Sequence, residues 1–294
     1  MKTGSQSASA AALAILGLSA SAEEKAATDK ETLEKAFDAL RTFDWGTGIT
    51  IPAPKKPPED DGGKRKKESG PAPPEDLHVL APIDDAVVAA HGDAPAEKAL
   101  EVRLAAVLKT DAPRAAKDFV CRKLRMIGTA ESVPALAALL PDKDLSHMAR
   151  YALELNSAPE AAAAMREALP KAQGTLKVGM IGSLGKRRDA ASAAALAPLL
   201  ADADNAVAAA AAAALGAIGT PKAATALSDC LKKAPEGVKA AVADACLICA
   251  ERLLEDGMKA EAVAVYKLLS GEDQPKHVRV AATRGMLNAA GKKE

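Results

Sequence analysis

Six similar hexamers recur along this chain, and their spacing limits what it can fold into more than any other feature. RLAAVL begins at Arg103, ALAALL at Ala135, AMREAL at Ala164, ALAPLL at Ala195, ALSDCL at Ala226 and AVYKLL at Ala264, at steps of 32, 29, 31, 31 and 38 residues. Self-similarity at a near-constant period of this size marks stacked repeats, in which a unit too small to bury its own apolar face is completed by its neighbours. A polar turn and a second apolar run follow each hexamer, so the unit reads as a helix pair. In LLPDKDLSHMARYALE (139–154) and LLADADNAVAAAAAAALG (199–216), the turn residues Asp142, Asp144, Asp202 and Asp204 are spaced to accept hydrogen bonds at the start of the second helix.

With aromatic residues at 2% of the chain, the interior is left to Ala, Leu, Val and Ile, which favours helices that approach closely. The extreme case is the run of seven alanines from Ala208 to Ala214. A helix over 205–218 is of a length that is marginal alone in water, because nucleation is unfavourable, so it needs neighbours. Leu196, Leu199, Leu200, Leu215 and Ile218 are the expected anchors, each contributing about 1.5–3 kcal/mol if fully buried.

The turn and second helix resemble the pattern D-x-D-x-x-V-R-x-x-A-A-x-A-L-G of short bacterial HEAT repeats of the phycobilisome-lyase-like type, over residues 94–290. The resemblance implies an all-α fold, an α-solenoid of stacked antiparallel helix pairs, with about six pairs over 94–294 and the second helices lining a concave surface where partners bind. One departure matters. PKHVRVAATRGM (275–286) keeps the Val278-Arg279 pair, whereas the equivalents near Ser146 and Ala208 have no Arg, so an Asp–Arg ladder between repeats is mostly absent.

Anchored on Leu124, Leu153, Leu184 and Leu215, the position two residues earlier reads Arg122, Tyr151, Gly182 and Ala213, and the position just after reads Arg125, Glu154, Gly185 and Gly216. Varied side chains thus give way to bare ones along the stack. The expected partner-binding surface is therefore Arg122, Arg125, His147, Arg150, Tyr151 and Glu154; ordinary solvated helix faces are the alternative.

Ahead of the repeats, Lys2, the apolar stretch Ala10–Leu18 and Ala20-Ser21-Ala22 have the order of a secretory signal over 1–22, cleaved after Ala22. That reading makes the mature chain periplasmic or secreted; the alternative is an Ala-rich tail on a cytoplasmic protein. The apolar part is shorter than the roughly 20 residues a membrane span needs, and no integral membrane segment is expected. Residues 23–45 hold one amphipathic helix, with Leu33, Ala36, Phe37 and Leu40 on one face. The stretch 46–79, rich in Pro, Gly and charges of both signs and including Lys64–Lys67, reads as a disordered loop or linker, and 80–93 as a helix joining the solenoid.

Lys plus Arg and Asp plus Glu both total 39, leaving no excess charge to attract a phosphate backbone, and nucleic acid is not an expected partner. Cys246 and Cys249 have redox-motif spacing but sit inside a helical run with Cys230 nearby in sequence, and core thiols are the simpler account. His78, His91, His147 and His277 are scattered, so no metal site is expected, and no cofactor or catalytic pattern is found. These features point to a non-catalytic scaffold or adaptor for a protein partner. The alternatives are a chromophore-lyase-like enzyme, which the repeats alone suggest, and a purely structural spacer.

Overall fold

The computed structural model describes residues 28–44 and 79–291. The proposed leader at 1–22, Trp45, Lys64–Lys67, His78 and nearly all of the 46–79 stretch lie outside the described residues. Among those described, no residue is in a strand, and the chain is an all-α solenoid of stacked antiparallel helix pairs.

Two helices precede the pairs: α1 (28–40) and α2 (Ala81–Ala89). The pairs follow as α3 (Ala94–Leu108) with α4 (Arg114–Ile127), α5 (Val133–Ala137) with α6 (Ser146–Leu155), and α7 (Pro159–Ala168) with α8 (Gly174–Lys186). After them come α9 (Ala193–Leu196) with α10 (Asn205–Ile218), α11 (Pro221–Leu231) with α12 (Glu236–Glu255), and α13 (Lys259–Leu269) with α14 (Lys276–Gly291). Every hexamer falls on, or runs just past the end of, a first helix. The second helices form one layer in which α4 packs on α6, α6 on α8, α8 on α10, α10 on α12 and α12 on α14. The first helices form the other, with α3 on α5, α5 on α7, α9 on α11 and α11 on α13.

Local chemistry sets the helix ends. Asp204 Oδ1 accepts from the Ala206 amide at 2.8 Å and starts α10, while Asp202 Oδ1 holds the turn through the Asp204 amide at 3.0 Å. In the earlier turn Asp142 takes both bonds, from the Asp144 and Leu145 amides at 2.8 and 2.9 Å. Asp144 is not a cap there; its carboxylate lies 3.8 Å from Arg114. Helix α10 stops at Gly219, whose φ of +66° is the left-handed conformation a glycine adopts without steric cost. Thr220 and Pro221 then start α11, the threonine hydroxyl accepting from the Ala223 amide at 3.3 Å.

One first helix departs from the simple pattern. Around α9 the chain runs as 3₁₀ turn, short α-helix and 3₁₀ turn, from Ala190–Ser192 to Ala197–Ala201. Pro198 lies in the last of these and has no N–H for the carbonyl four residues earlier, which explains why the regular helix ends there.

The core is the expected aliphatic one. Leu124, Leu153, Leu184 and Leu215, the anchors of four successive second helices, are completely buried, as are Ala211 and Ala212. Leu196, Leu200 and Ile218 are also buried, but Leu199 is half-buried because the 3₁₀ turn rotates it partly out of the interface. Cys121, Cys246 and Cys249 are free, buried thiols that burial pushes up to about 12, so the CxxC spacing here serves the core. No helix among the described residues is long and apolar enough to cross a membrane.

Candidate functional site

The second-helix layer carries the expected surface residues, and the contacts between its helices divide them. Arg125 on α4 stacks on the Tyr151 ring of α6, 3.8 Å from its centroid, and its Nη1 donates to the Tyr151 carbonyl at 2.9 Å. Arg150 on α6 donates from Nη1 to the Gly179 carbonyl at 2.9 Å and to Ser183 Oγ at 3.1 Å, both on α8. Residue 179 must be glycine for this contact, because a Cβ there would lie 2.5 Å from Arg150 Nη2. Burial lowers the pKa of the Arg150 guanidinium, and the charge of Glu154 opposes that shift. Glu154 closes the link, accepting from Ser183 Oγ at 2.9 Å and pairing with Lys186 Nζ at 2.6 Å, with its side chain only 12% exposed.

A second polar chain runs through the turns that join one pair to the next. Glu101 on α3 is completely buried and accepts from the Thr129 and Ser132 amides at 2.6 and 3.1 Å and from the Thr129 hydroxyl at 2.8 Å. Asn156 Nδ2, beyond α6, donates to the Thr129 carbonyl at 2.7 Å. Arg187, at the end of α8, donates to the carbonyls of Leu153, Asn156 and Ala158, groups left free where α6 ends. Arg187 Nε is left without a partner, but the bonds made by Glu101, Asn156 and the Arg187 Nη atoms tie the turns to one another.

Arg125, Arg150, Tyr151 and Glu154 are therefore brought together as the seam between stacked helices, whereas Arg122 and His147 lie exposed beside it. Arg122 bonds to Asp118 one turn back, at 3.3 Å. The sequence reading missed two neighbours. Met126 on α4 and Leu155 on α6 are 63% and 58% exposed, and they occupy equivalent places, each directly after the residue that follows the Leu anchor. Met126 lies one turn beyond Arg122, and Leu155 two turns beyond His147, so two apolar side chains flanked by polar ones face solvent from adjacent helices. The repeat alignment held a signal, since a large apolar residue two places after the buried Leu falls on the outward side of the helix.

Farther along the layer the seam changes character. A Cβ on Gly185 would lie 2.7 Å from the Ala214 Cα, and one on Gly216 would lie 2.7 Å from the Ala245 carbonyl oxygen. Backbones here touch where side chains reached across before. Among the described residues no group of three His, Cys, Asp or Glu is arranged to hold a metal ion.

The profile of the HEAT-repeat family matches residues 163–246, from α7 into α12. No curated protein matches the chain. Among solved structures, an engineered protein determined by the Northeast Structural Genomics Consortium matches at 20% identity and a TM-score of 0.37, over 71% of this chain and 96% of its own. The family match thus falls on three successive helix pairs of the stack, α7 with α8 through α11 with α12, and over those residues the chain is similar to HEAT repeats in sequence as it is in packing.

Proposed function

We propose that the chain is a non-catalytic HEAT-repeat scaffold or adaptor that binds a partner protein across α4 and α6, with Met126 and Leu155 as apolar contacts and Arg122 and His147 at their polar rim. The observation that carries this reading is the pair of large apolar side chains exposed at equivalent positions of adjacent repeats, on helices α4 and α6 that Arg125 and Tyr151 join and that Arg150 and Glu154 tie on to α8. Exposed apolar groups with polar neighbours are typical of interaction sites, and a rigid support reduces the ordering needed on binding. A photo-crosslinking residue placed at Met126 or Leu155 in the native host is expected to trap the same protein, while one at Thr225, exposed on α11, does not. Equal capture from all three positions, or none, contradicts the reading.

The same proposal places the mature chain outside the cytoplasm, supported by Lys2, the apolar stretch Ala10–Leu18 and Ala20-Ser21-Ala22. N-terminal sequencing of the protein from its host is expected to begin at Glu23. A start at Met1 or Lys2 contradicts export.

A further inference from the structure

The last two helix pairs flank an open groove of about 750 Å³ between α12 and α14, within the size range of small-ligand sites. Its walls oppose two different side-chain pairs. Glu251 and Glu255, one turn apart on α12, line one side, and Arg284 and Asn288, one turn apart on α14, line the other. Leu287, 68% exposed, supplies an apolar rim.

Tyr266 of α13 forms the floor. It is 2% exposed, and its hydroxyl, bonded to no described residue, is not among the fully buried polar atoms and so opens onto the groove. The ring reaches the groove because position 285 is glycine; a Cβ there would lie 2.3 Å from Tyr266 Cζ. Burial, and then the negative charges of Glu251 and Glu255, push the phenol up to about 12, so at neutral pH it stays a protonated hydroxyl with a lone pair to offer.

We infer that this groove binds an alkyl guanidinium or alkyl ammonium cation, with its charge between Glu251 and Glu255, an N–H donated to the Tyr266 hydroxyl and its stem along Leu287. Both lining carboxylates lie on the α12 wall and the lining guanidinium on the α14 wall, so the α12 wall is the one that attracts a cation. Glu255 is partly engaged by Arg252, at 2.9 Å, whereas Glu251 makes no ion pair with a described residue. Arg284 and Asn288 on the facing wall are donors suited to carbonyl oxygens, which a free alkyl cation lacks and an arginine or lysine residue in a polypeptide has on either side. The inference is independent of the α4–α6 surface.

Two probes separate the sources of such a cation: butylguanidinium chloride, and N-acetyl-arginine methylamide, which adds the flanking carbonyls. In nuclear magnetic resonance titrations of the full chain, both are expected to shift the Gly285 backbone amide and the Asn288 side-chain amide saturably, and sodium butyrate is expected to leave them in place. Roughly five-fold tighter binding of the capped arginine, the equivalent of one added hydrogen bond, assigns the site to a polypeptide side chain; equal binding assigns it to a free cation. Tyr266→Phe keeps the ring and is expected to weaken binding roughly five-fold by the same reasoning. The exposed pair Glu251→Gln and Glu255→Gln is expected to abolish it with an unchanged thermal midpoint. No saturable shift with either cation, an equal response to butyrate, or undiminished binding by the double glutamine variant overturns the inference.

Discussion

The stack from α4 to α8 and the stack from α8 to α12 solve one packing problem with opposite means. In the first, long side chains bridge the helices: Arg125 lies over Tyr151, Arg150 reaches Gly179 and Ser183, and Glu154 meets Ser183 and Lys186. In the second, Gly185 and Gly216 remove the side chain altogether and bring backbone onto Ala214 and Ala245. The helix ends follow the same division. Helix α8 closes through Arg188, at a φ of +53° that few non-glycine residues adopt, and α10 closes through Gly219. Polar bridges tie specific atoms and leave side chains available at the surface, whereas glycine–alanine contacts give close packing with little to recognise. The difference explains why a candidate surface lies at the first region and why the alanine run belongs to the scaffold.

Removing Glu101 is expected to do the most damage to the polar region. Glu101→Ala leaves the buried Ser132 amide and its neighbours without their acceptor and is expected to destabilise by about 2–3 kcal/mol in denaturant unfolding. Glu101→Gln, which keeps an acceptor oxygen, should lose less. In the close-packed region the smallest enlargement is a severe test. Gly216→Ala gains helix propensity, yet its methyl group lands 2.7 Å from the Ala245 oxygen, so a net loss of about 1–3 kcal/mol is expected.

Arg125→Ala removes the stacking on Tyr151 and one hydrogen bond and is expected to lower stability by about 1 kcal/mol, read from the unfolding midpoint. Gly182→Ala sharpens the comparison in the opposite direction. Unlike Gly185 and Gly216, Gly182 has nothing within 4 Å of an added Cβ, so alanine there is expected to stabilise by about 0.5–1 kcal/mol. A destabilising result would mean that α8 is also closely approached on this side.

The smallest effect expected is a pH dependence at the turn that leads from α9 into α10. The Asp204 amide, then Lys177 at 3.3 Å, hold the Asp202 carboxyl below its ordinary value against the opposing effect of burial. A carboxyl lowered in the folded state contributes stability above its unfolded pKa and loses it as pH falls through the folded one. Asp202→Asn is therefore expected to lose a small contribution to stability at neutral pH and to flatten the acid limb below about pH 4, so that variant and wild type converge as pH falls.

The repeat architecture was legible because it depends on residue identity at a fixed spacing. The hexamers from Arg103 to Ala264 mark the first helices, and Leu124, Leu153, Leu184 and Leu215 mark the second, all four in the core. The seam was legible only where it is made of glycine and alanine, whose small size is itself the signal. Arg125 and Tyr151 are 26 residues apart, and Glu154 and Ser183 are 29 apart; nothing within one helix states that they meet. Glu101 shows the same limit. A glutamate in a helix carries no sign of burial in the sequence, and here burial is made possible by amides of a turn 28 residues away. Arg122 and His147 kept the exposure the sequence suggested, while Met126 and Leu155 were passed over because apolar residues on an amphipathic helix read as core.

Residue-resolved hydrogen exchange on the wild-type chain and on Gly216→Ala tests the central claim, that the two regions are joined by separate, nearest-neighbour seams. The expected result is a loss of protection in α10 and α12, with α4 and α6 at wild-type rates. Equal loss in all four helices, or unchanged exchange in α10 and α12, would contradict it.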